Sequence, residues 1–277
     1  MTTMPNTDTS PSETVVAPSD ARQPALEARE VSVRYGSLLA LNEFNFKAFA
    51  GQVTAVIGPN GSGKTTFLNA LTGLVPYKGN VLVKGQDMTG ATPPKMYNAG
   101  VSRTFQNLDL IDDLTVEANV ALGGSSTVRA TIIEAVFSLP RARRERRERA
   151  ASADAALALL SLEPIKLAKT KILPYGLRRR AEVARAIASH PTTLLLDEPT
   201  AGMGPHESEE FGMLLLHLAT QLNMAVVIIE HDMSVVRSCA QEVYVLATGN
   251  TIGQGPPHEV LATEVVRNVY LGETGDN

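Results

Sequence analysis

The stretch Gly58-Pro59-Asn60-Gly61-Ser62-Gly63-Lys64-Thr65-Thr66 constrains the fold of this chain more than any other. The apolar run before it, Val53-Thr54-Ala55-Val56-Ile57, has the length and composition of a buried strand, and Phe67 to Leu71 after it begins a helix. Strand, glycine loop, Lys-Thr and helix is the order that cradles nucleotide phosphates. Glycines let successive backbone N–H groups turn inward into a concave anion site, and the helix N-terminus adds its partial positive charge. Lys64 supplies a point charge for the β- and γ-phosphates, and the Thr65 hydroxyl a ligand for Mg²⁺. The rival reading is a glycine-rich turn with a merely solvated lysine. It gives no reason for a strand and a helix to flank the loop at this spacing.

Bulk properties bound the rest. With 277 residues there is room for one large domain or two modest ones. A formal net charge of −4 does not suggest a nucleic-acid partner, and none is expected. Cys239 is the single cysteine, so no disulfide framework is possible within the chain, and a reducing compartment is expected. No apolar run approaches the roughly 18–20 residues of a membrane span. Residues 1–24 are rich in Thr, Ser and Pro without a basic-then-apolar leader pattern, and read as a disordered tail.

Along the chain, Leu26 to Tyr35 partly alternates apolar and polar residues, as a half-buried strand does, and Asn45 to Phe49 reads as its neighbour. Tyr35 ends the first strand and is placed either to stack on a purine ring or to stay a surface tyrosine. Gly79 to Gly85 and Gly100 to Gln106 hold further short strands. Gln106, at the mouth of a nucleotide site, has the chemistry to ligate Mg²⁺ and position water, though such a glutamine is also an ordinary loop residue. From about Thr115 to Leu162 alanines and leucines recur at helical spacing, so an all-helical insert is expected. Its run Arg141 to Arg149 fits an anionic lipid or RNA patch, or more plainly a solvated helix face with Glu145 and Arg149 paired. A helix is expected from Arg178, with Leu177, Ala181, Ala184 and Ala188 on its apolar face; arginines at 178–180 oppose its dipole, which suggests a nearby anion or acidic partner or a small cost that exposed arginines tolerate.

Thr193-Leu-Leu-Leu-Asp197-Glu198-Pro199 is the second strong signal: a buried strand delivering two carboxylates at its C-terminal end, where ligands bind in open α/β sheets. Asp197 is placed to hold Mg²⁺ through water and Glu198 to polarise the attacking water. Met224 to Asp232 is another parallel-type strand, ending in His231. A strand-end histidine is often structural, but this one would be the third polar group on one sheet edge.

Tyr35, the loop 58–65, Gln106, the helical insert, residues 173–177, Asp197-Glu198 and His231 occur in the order found in ABC transporter ATPase subunits, which the chain resembles over roughly residues 26–273. Arg103-Thr-Phe-Gln-Asn107, Glu230-His-Asp-Met233, Val269-Tyr-Leu-Gly-Glu273 and the Tyr175-Gly176 pair further resemble the branched-chain amino acid importer branch. The resemblance implies an α/β P-loop NTPase (RecA-like) core with an antiparallel β subdomain and an all-helical insert. It places the ATPase domain at residues 25–277, with its helical part at about 107–176. ATP and Mg²⁺ are the implied substrate and cofactor, with Glu198 as general base and His231 as the γ-phosphate contact. Two such subunits, identical or paralogous, would close head to tail on two ATP molecules, Gly176 of one facing the nucleotide of the other. Transmembrane permease subunits would dock near Gln106 and the insert, on the cytoplasmic face of the membrane, and a solute-binding protein would deliver the substrate.

Two departures stand out. Where the family commonly has Ser-Gly-Gly-Gln, this chain has Pro174-Tyr175-Gly176-Leu177, without the serine hydroxyl and, at Pro174, without a backbone N–H. Arg178 and Arg179 are candidates to restore positive charge there. The loop after Thr200 ends in Gly204, where the family often has Asp or Asn. A weakly hydrolysing regulatory half of a heterodimer, or an importer of urea or short amides, are the alternatives left open.

Overall fold

The computed structural model describes residues 22–104, 110–123 and 140–271. The expected N-terminal tail lies almost wholly outside them, and so does Gln106. Strands β1 (Leu26–Tyr35), β2 (Leu38–Ala48), β4 (Lys78–Val83) and β5 (Gln86–Asp87) form an antiparallel sheet in the order β2-β1-β4-β5. The incomplete alternation of β1 has a local cause. Leu26 and Ala28 face inward, then Glu30 takes φ 51° at a bulge, and the inward face resumes at Val31 and Val33.

The second sheet contains β3 (Val53–Ile57), β6 (Val101–Arg103), β7 (Thr193–Asp197), β8 (Ala225–Ile229), β9 (Glu242–Ala247) and β10 (Asn250–Gly255). Its order is β10-β9-β3-β8-β7-β6, parallel throughout except for the edge strand β10. Every residue of β3, β7 and β8 is buried, as a parallel sheet covered on both faces requires. Alternate side chains enter two cores. Val53, Ala55, Ile57, Leu194 and Ile228 join one; Val56, Leu195, Val227 and Ile229 join the other, with Phe44, Phe46 and Phe67.

Helix α1 (Lys64–Leu71) follows the glycine loop and lies between the two sheets. Its Phe67 ring meets Phe44 edge-on at 4.6 Å and Phe46 at 4.9 Å, which fixes the helix against β2. After α2 (Pro93–Asn98) come α3 (Val116–Gly123), α4 (Pro140–Leu159), two 3₁₀ turns and α5 (Tyr175–Ile187). Val116, Val120, Ala156, Leu157, Leu160, Ala181 and Ala184 bury one another there. The described residues of the expected insert are mostly helical, apart from a turn at residues 160–161 and an isolated bridge from Thr115 to Lys169. Asn119, fully buried, ties it to the preceding segment: its amide donates to the Ile111 and Thr115 carbonyls and accepts from the Ile111 N–H. The side chains of residues 140–146, and with them the Glu145–Arg149 pairing, lie outside the description. Helices α6 (Pro205–Gln221), α7 (Met233–Cys239), α8 (Pro257–Val260) and α9 (Glu264–Leu271) complete the chain. Among the described residues no helix is long and apolar enough to cross a membrane.

Helix α5 begins at Tyr175, three residues before Arg178, with Pro174 as its N-cap. The acidic partners expected for its arginines lie within the chain. Arg178 meets Asp112 at 2.6 Å, and Arg179 meets Glu182 at 2.8 Å with side chains only 3% and 2% exposed. Arg179 Nε also donates to the Tyr175 hydroxyl at 3.0 Å. A guanidinium buried in this way is committed to the interior, which corrects the expectation that Arg179 restores charge at the helix entrance.

Candidate active site

Register brings the site together. Ile229 of β8 pairs with Val56 of β3 and with Asp197 of β7, so the chain leaves three parallel strands at one level. The glycine loop, Glu198 and His231 emerge at that level, at the carboxyl edge of the sheet.

The loop turns tightly against its neighbours. Gly58 and Gly63 have φ of 150° and 105°, and a Cβ on them would stand 2.0 Å from the Leu246 carbonyl oxygen and 2.5 Å from that of Ala40. Only glycine fits either position. Lys64 Nζ donates to the carbonyls of Gly58 and Pro59 at 2.6 and 2.9 Å, curling the ammonium over the loop. The Ser62 hydroxyl is buried without a hydrogen-bond partner among the described residues, an arrangement that suits an incoming acceptor. Gly249 N–H donates to the Ser62 carbonyl, bracing the loop from the β9–β10 turn. Tyr35, the loop from Asn60 to Thr66, and Glu198 line one cleft of about 480 Å³. Tyr35 is 45% exposed, and Thr65 is exposed in the first turn of α1. Leu38, Leu39, Ala40 and Thr248 complete the wall; no sequence pattern marked them.

Glu198 has φ 48°, a left-handed conformation rare for a side-chain-bearing residue, and its N–H donates to the Ile229 carbonyl at 3.0 Å. That turn carries its carboxylate to His231, whose Nε2 lies 2.6 Å from Glu198 Oε1. Glu230, 3% exposed, holds both turns: Oε1 accepts from the amide and hydroxyl of Thr200, and Oε2 from the His231 amide. Burial pushes its carboxyl above the ordinary range, against the pull of these donors. Its role depends on contacts thirty positions apart, which no local pattern signals.

Asp197 is buried at the end of β7, and burial raises its carboxyl while the Arg103 guanidinium pulls the other way. Arg103 Nη2 stands 3.1 Å from Asp197 Oδ2. Gly176 does not line the cleft. A Cβ added to it would collide with Oε1 of Glu207, and the neighbouring Tyr175 ring packs over Gly202, so the start of α5 and the loop before α6 form one surface.

A protein-family model described as "ABC transporter" matches residues 41–201. The chain is 35% identical over 252 residues to the high-affinity branched-chain amino acid transport ATP-binding protein BraF of Pseudomonas aeruginosa, covering 91% of this chain and 99% of the relative. LivG of Escherichia coli K12, named as the same kind of transport protein, is 33% identical with the same coverage. A solved ATP-binding cassette of an ABC transporter in its ADP conformation superposes with a TM-score of 0.79 at 27% identity, covering 91% of this chain and all of that one. With the glycine loop, the carboxylates and the histidine assembled at one edge of such a sheet, the chain belongs to the ABC transporter family, as one of its nucleotide-binding ATPase subunits.

Proposed function

We propose that the chain energises uptake of branched-chain amino acids by hydrolysing ATP in a head-to-tail dimer. The observation that carries the catalytic part is the 2.6 Å contact of Glu198 with His231, beside the cleft of the glycine loop. Tyr35 offers a ring face to the purine. The amides of residues 58–66 and the Lys64 ammonium bind the phosphates, Lys64 exchanging its loop carbonyls for phosphate oxygens. Thr65 and Asp197 offer hard oxygen donors to Mg²⁺, a cation usually held by one or two protein groups and the substrate phosphates. When bound, Mg²⁺ neutralises charge developing on the phosphates. Glu198 accepts the proton of the attacking water, and His231 orients that carboxylate and touches the γ-phosphate. Gln106 has the side-chain chemistry to ligate the metal and position the water.

Gly176 at the entrance of α5 faces the nucleotide of a second ATPase subunit. Residues 25–277 form the ATPase domain, and its helical part, about 107–176, meets transmembrane permease subunits at the cytoplasmic face. A solute-binding protein delivers the cargo. The names of BraF and LivG support branched-chain amino acids as that cargo.

Two measurements test the reading. ATP turnover by the purified chain should fall to background in Lys64→Ala and in Glu198→Gln; normal turnover in both removes the catalytic assignment. ATP-dependent uptake of leucine by the complex reconstituted with its permease and solute-binding protein tests the cargo, and uptake of urea or acetamide instead overturns it. Pro174, which supplies neither a hydroxyl nor an N–H at the entrance of α5, favours a second reading. In it the chain supports hydrolysis at its partner's site only weakly.

A further inference from the structure

Arg103 closes the edge strand β6 and turns inward instead of toward solvent. Its side chain is 6% exposed and that of Asp197 is 4% exposed. Besides the contact of Nη2 with Asp197 Oδ2 at 3.1 Å, Nη1 donates to Asn69 Oδ1 at 2.7 Å and to Thr72 Oγ1 at 3.3 Å. Asn69 lies in helix α1 and Thr72 is its C-cap, and the same helix carries Thr65 in its first turn. One rigid, planar cation therefore grips α1 on one side and the end of β7 on the other.

We propose that Arg103 is a positioning residue for the metal: by tying α1 to Asp197 it sets the separation of Thr65 and Asp197 and aims the Asp197 carboxylate. This inference rests on the Mg²⁺–ATP reading of the site. Mg²⁺ demands near-ideal octahedral geometry at about 2.0–2.1 Å, so it is sensitive to small displacements of either donor. Residues bonded behind metal-binding groups typically change metal affinity by about 10–100-fold when removed. A cation beside the carboxylate also repels Mg²⁺, but its removal leaves Asp197 buried and without this partner. The larger effect is the loss of a held carboxylate.

The full-length chain and its Arg103→Met variant are titrated with ATP by calorimetry, at stepped Mg²⁺ concentrations and in EDTA. Arg103→Met should need at least about tenfold more Mg²⁺ for half-maximal enhancement of ATP binding, with affinity in EDTA unchanged. Asn69→Ala keeps Asp197 paired and removes one anchor of the guanidinium on α1. It should shift the Mg²⁺ requirement in the same direction by less, and it carries the test if Arg103→Met does not fold. An unchanged Mg²⁺ requirement overturns the proposal, as does a lowered one, which would make Arg103 a competitor of the metal. An equal loss of ATP binding with and without Mg²⁺ also overturns it, since Arg103 would then only support the loop. If the unsubstituted chain binds ATP without any help from Mg²⁺, the reading of the site fails instead.

Discussion

The amide and the hydroxyl of Thr200 both donate to one carboxylate oxygen of Glu230, at 3.1 and 2.8 Å. Thr200 lies in the turn that follows Glu198, and Glu230 precedes His231. A single buried carboxylate thus holds together the two chain segments that bring Glu198 and His231 into contact.

That carboxylate gives the protein a measurable pH dependence. Because burial raises the folded-state pKa of Glu230 above its ordinary 4.5, the folded chain holds the proton more tightly than the unfolded chain just above that pH. The associated stability is fully present below about 4.5 and is lost as pH rises through the folded value. Glu230→Gln cannot titrate. The Tm of Glu230→Gln minus that of the unsubstituted chain should therefore become more positive as pH is raised from acid to neutral. Scanning fluorimetry across that range measures it, and a flat or falling difference refutes the argument.

Arg179 and Glu182 are an ion pair of the interior. Breaking such a pair by Arg179→Ala takes this cation away from a buried carboxylate, with an expected loss of up to about 3–5 kcal/mol in urea unfolding. Replacing both, as Arg179→Met with Glu182→Leu, should recover most of that stability, because apolar groups of similar volume usually substitute for a buried pair without loss. A double variant no more stable than Arg179→Ala would contradict this.

Two glycines of the loop should respond differently to alanine. At Gly63 a Cβ would stand 2.5 Å from the Ala40 carbonyl oxygen, whereas at Gly61 it meets nothing within 4 Å. Both have positive φ, so each substitution carries a backbone cost of order 1–3 kcal/mol. Gly63→Ala adds a displacement of the loop from β2. ATP affinity should fall much further in Gly63→Ala than in Gly61→Ala, and equal losses would count against the packing argument.

Pro174→Ser with Leu177→Gln supplies the hydroxyl and amide that the Pro174-Tyr175-Gly176-Leu177 sequence lacks at the entrance of α5. An aimed donor of this kind is worth at most about 2.7–4 kcal/mol at a transition state. If the chain works in the proposed dimer and Pro174 slows hydrolysis at the partner's site, ATP turnover of the reconstituted assembly should rise several-fold. No change would show that Pro174 costs the dimer nothing.

The parts legible in the sequence were those whose function is local. The loop 58–66 declares itself because glycine, lysine and threonine must stand at fixed offsets around one anion. The apolar run Thr193 to Leu196 declares the buried strand behind Asp197 in the same way. Arg178 and Arg179 show the limit: their charge suggested a nearby anion or acidic partner, but only the structure shows that the partners are Asp112 and Glu182 of the same chain. Side-chain direction on a helix depends on where the helix starts, and α5 starts three residues earlier than the pattern indicated.

From the sequence alone came the phosphate-loop reading of residues 58–66 and the buried strand behind Asp197, which follow from short-range periodicity and motif spacing, and the family resemblance, which implied the fold class. Only the tertiary structure decided that Ile229 sets Val56 and Asp197 at one level, that Glu230 clamps Thr200, and that Arg103 reaches both Asp197 and helix α1. Each of those relations joins residues at least 30 positions apart in the chain. They exist because parallel strands must be connected by long crossovers, so the neighbours that matter at the carboxyl edge of such a sheet are distant in the chain.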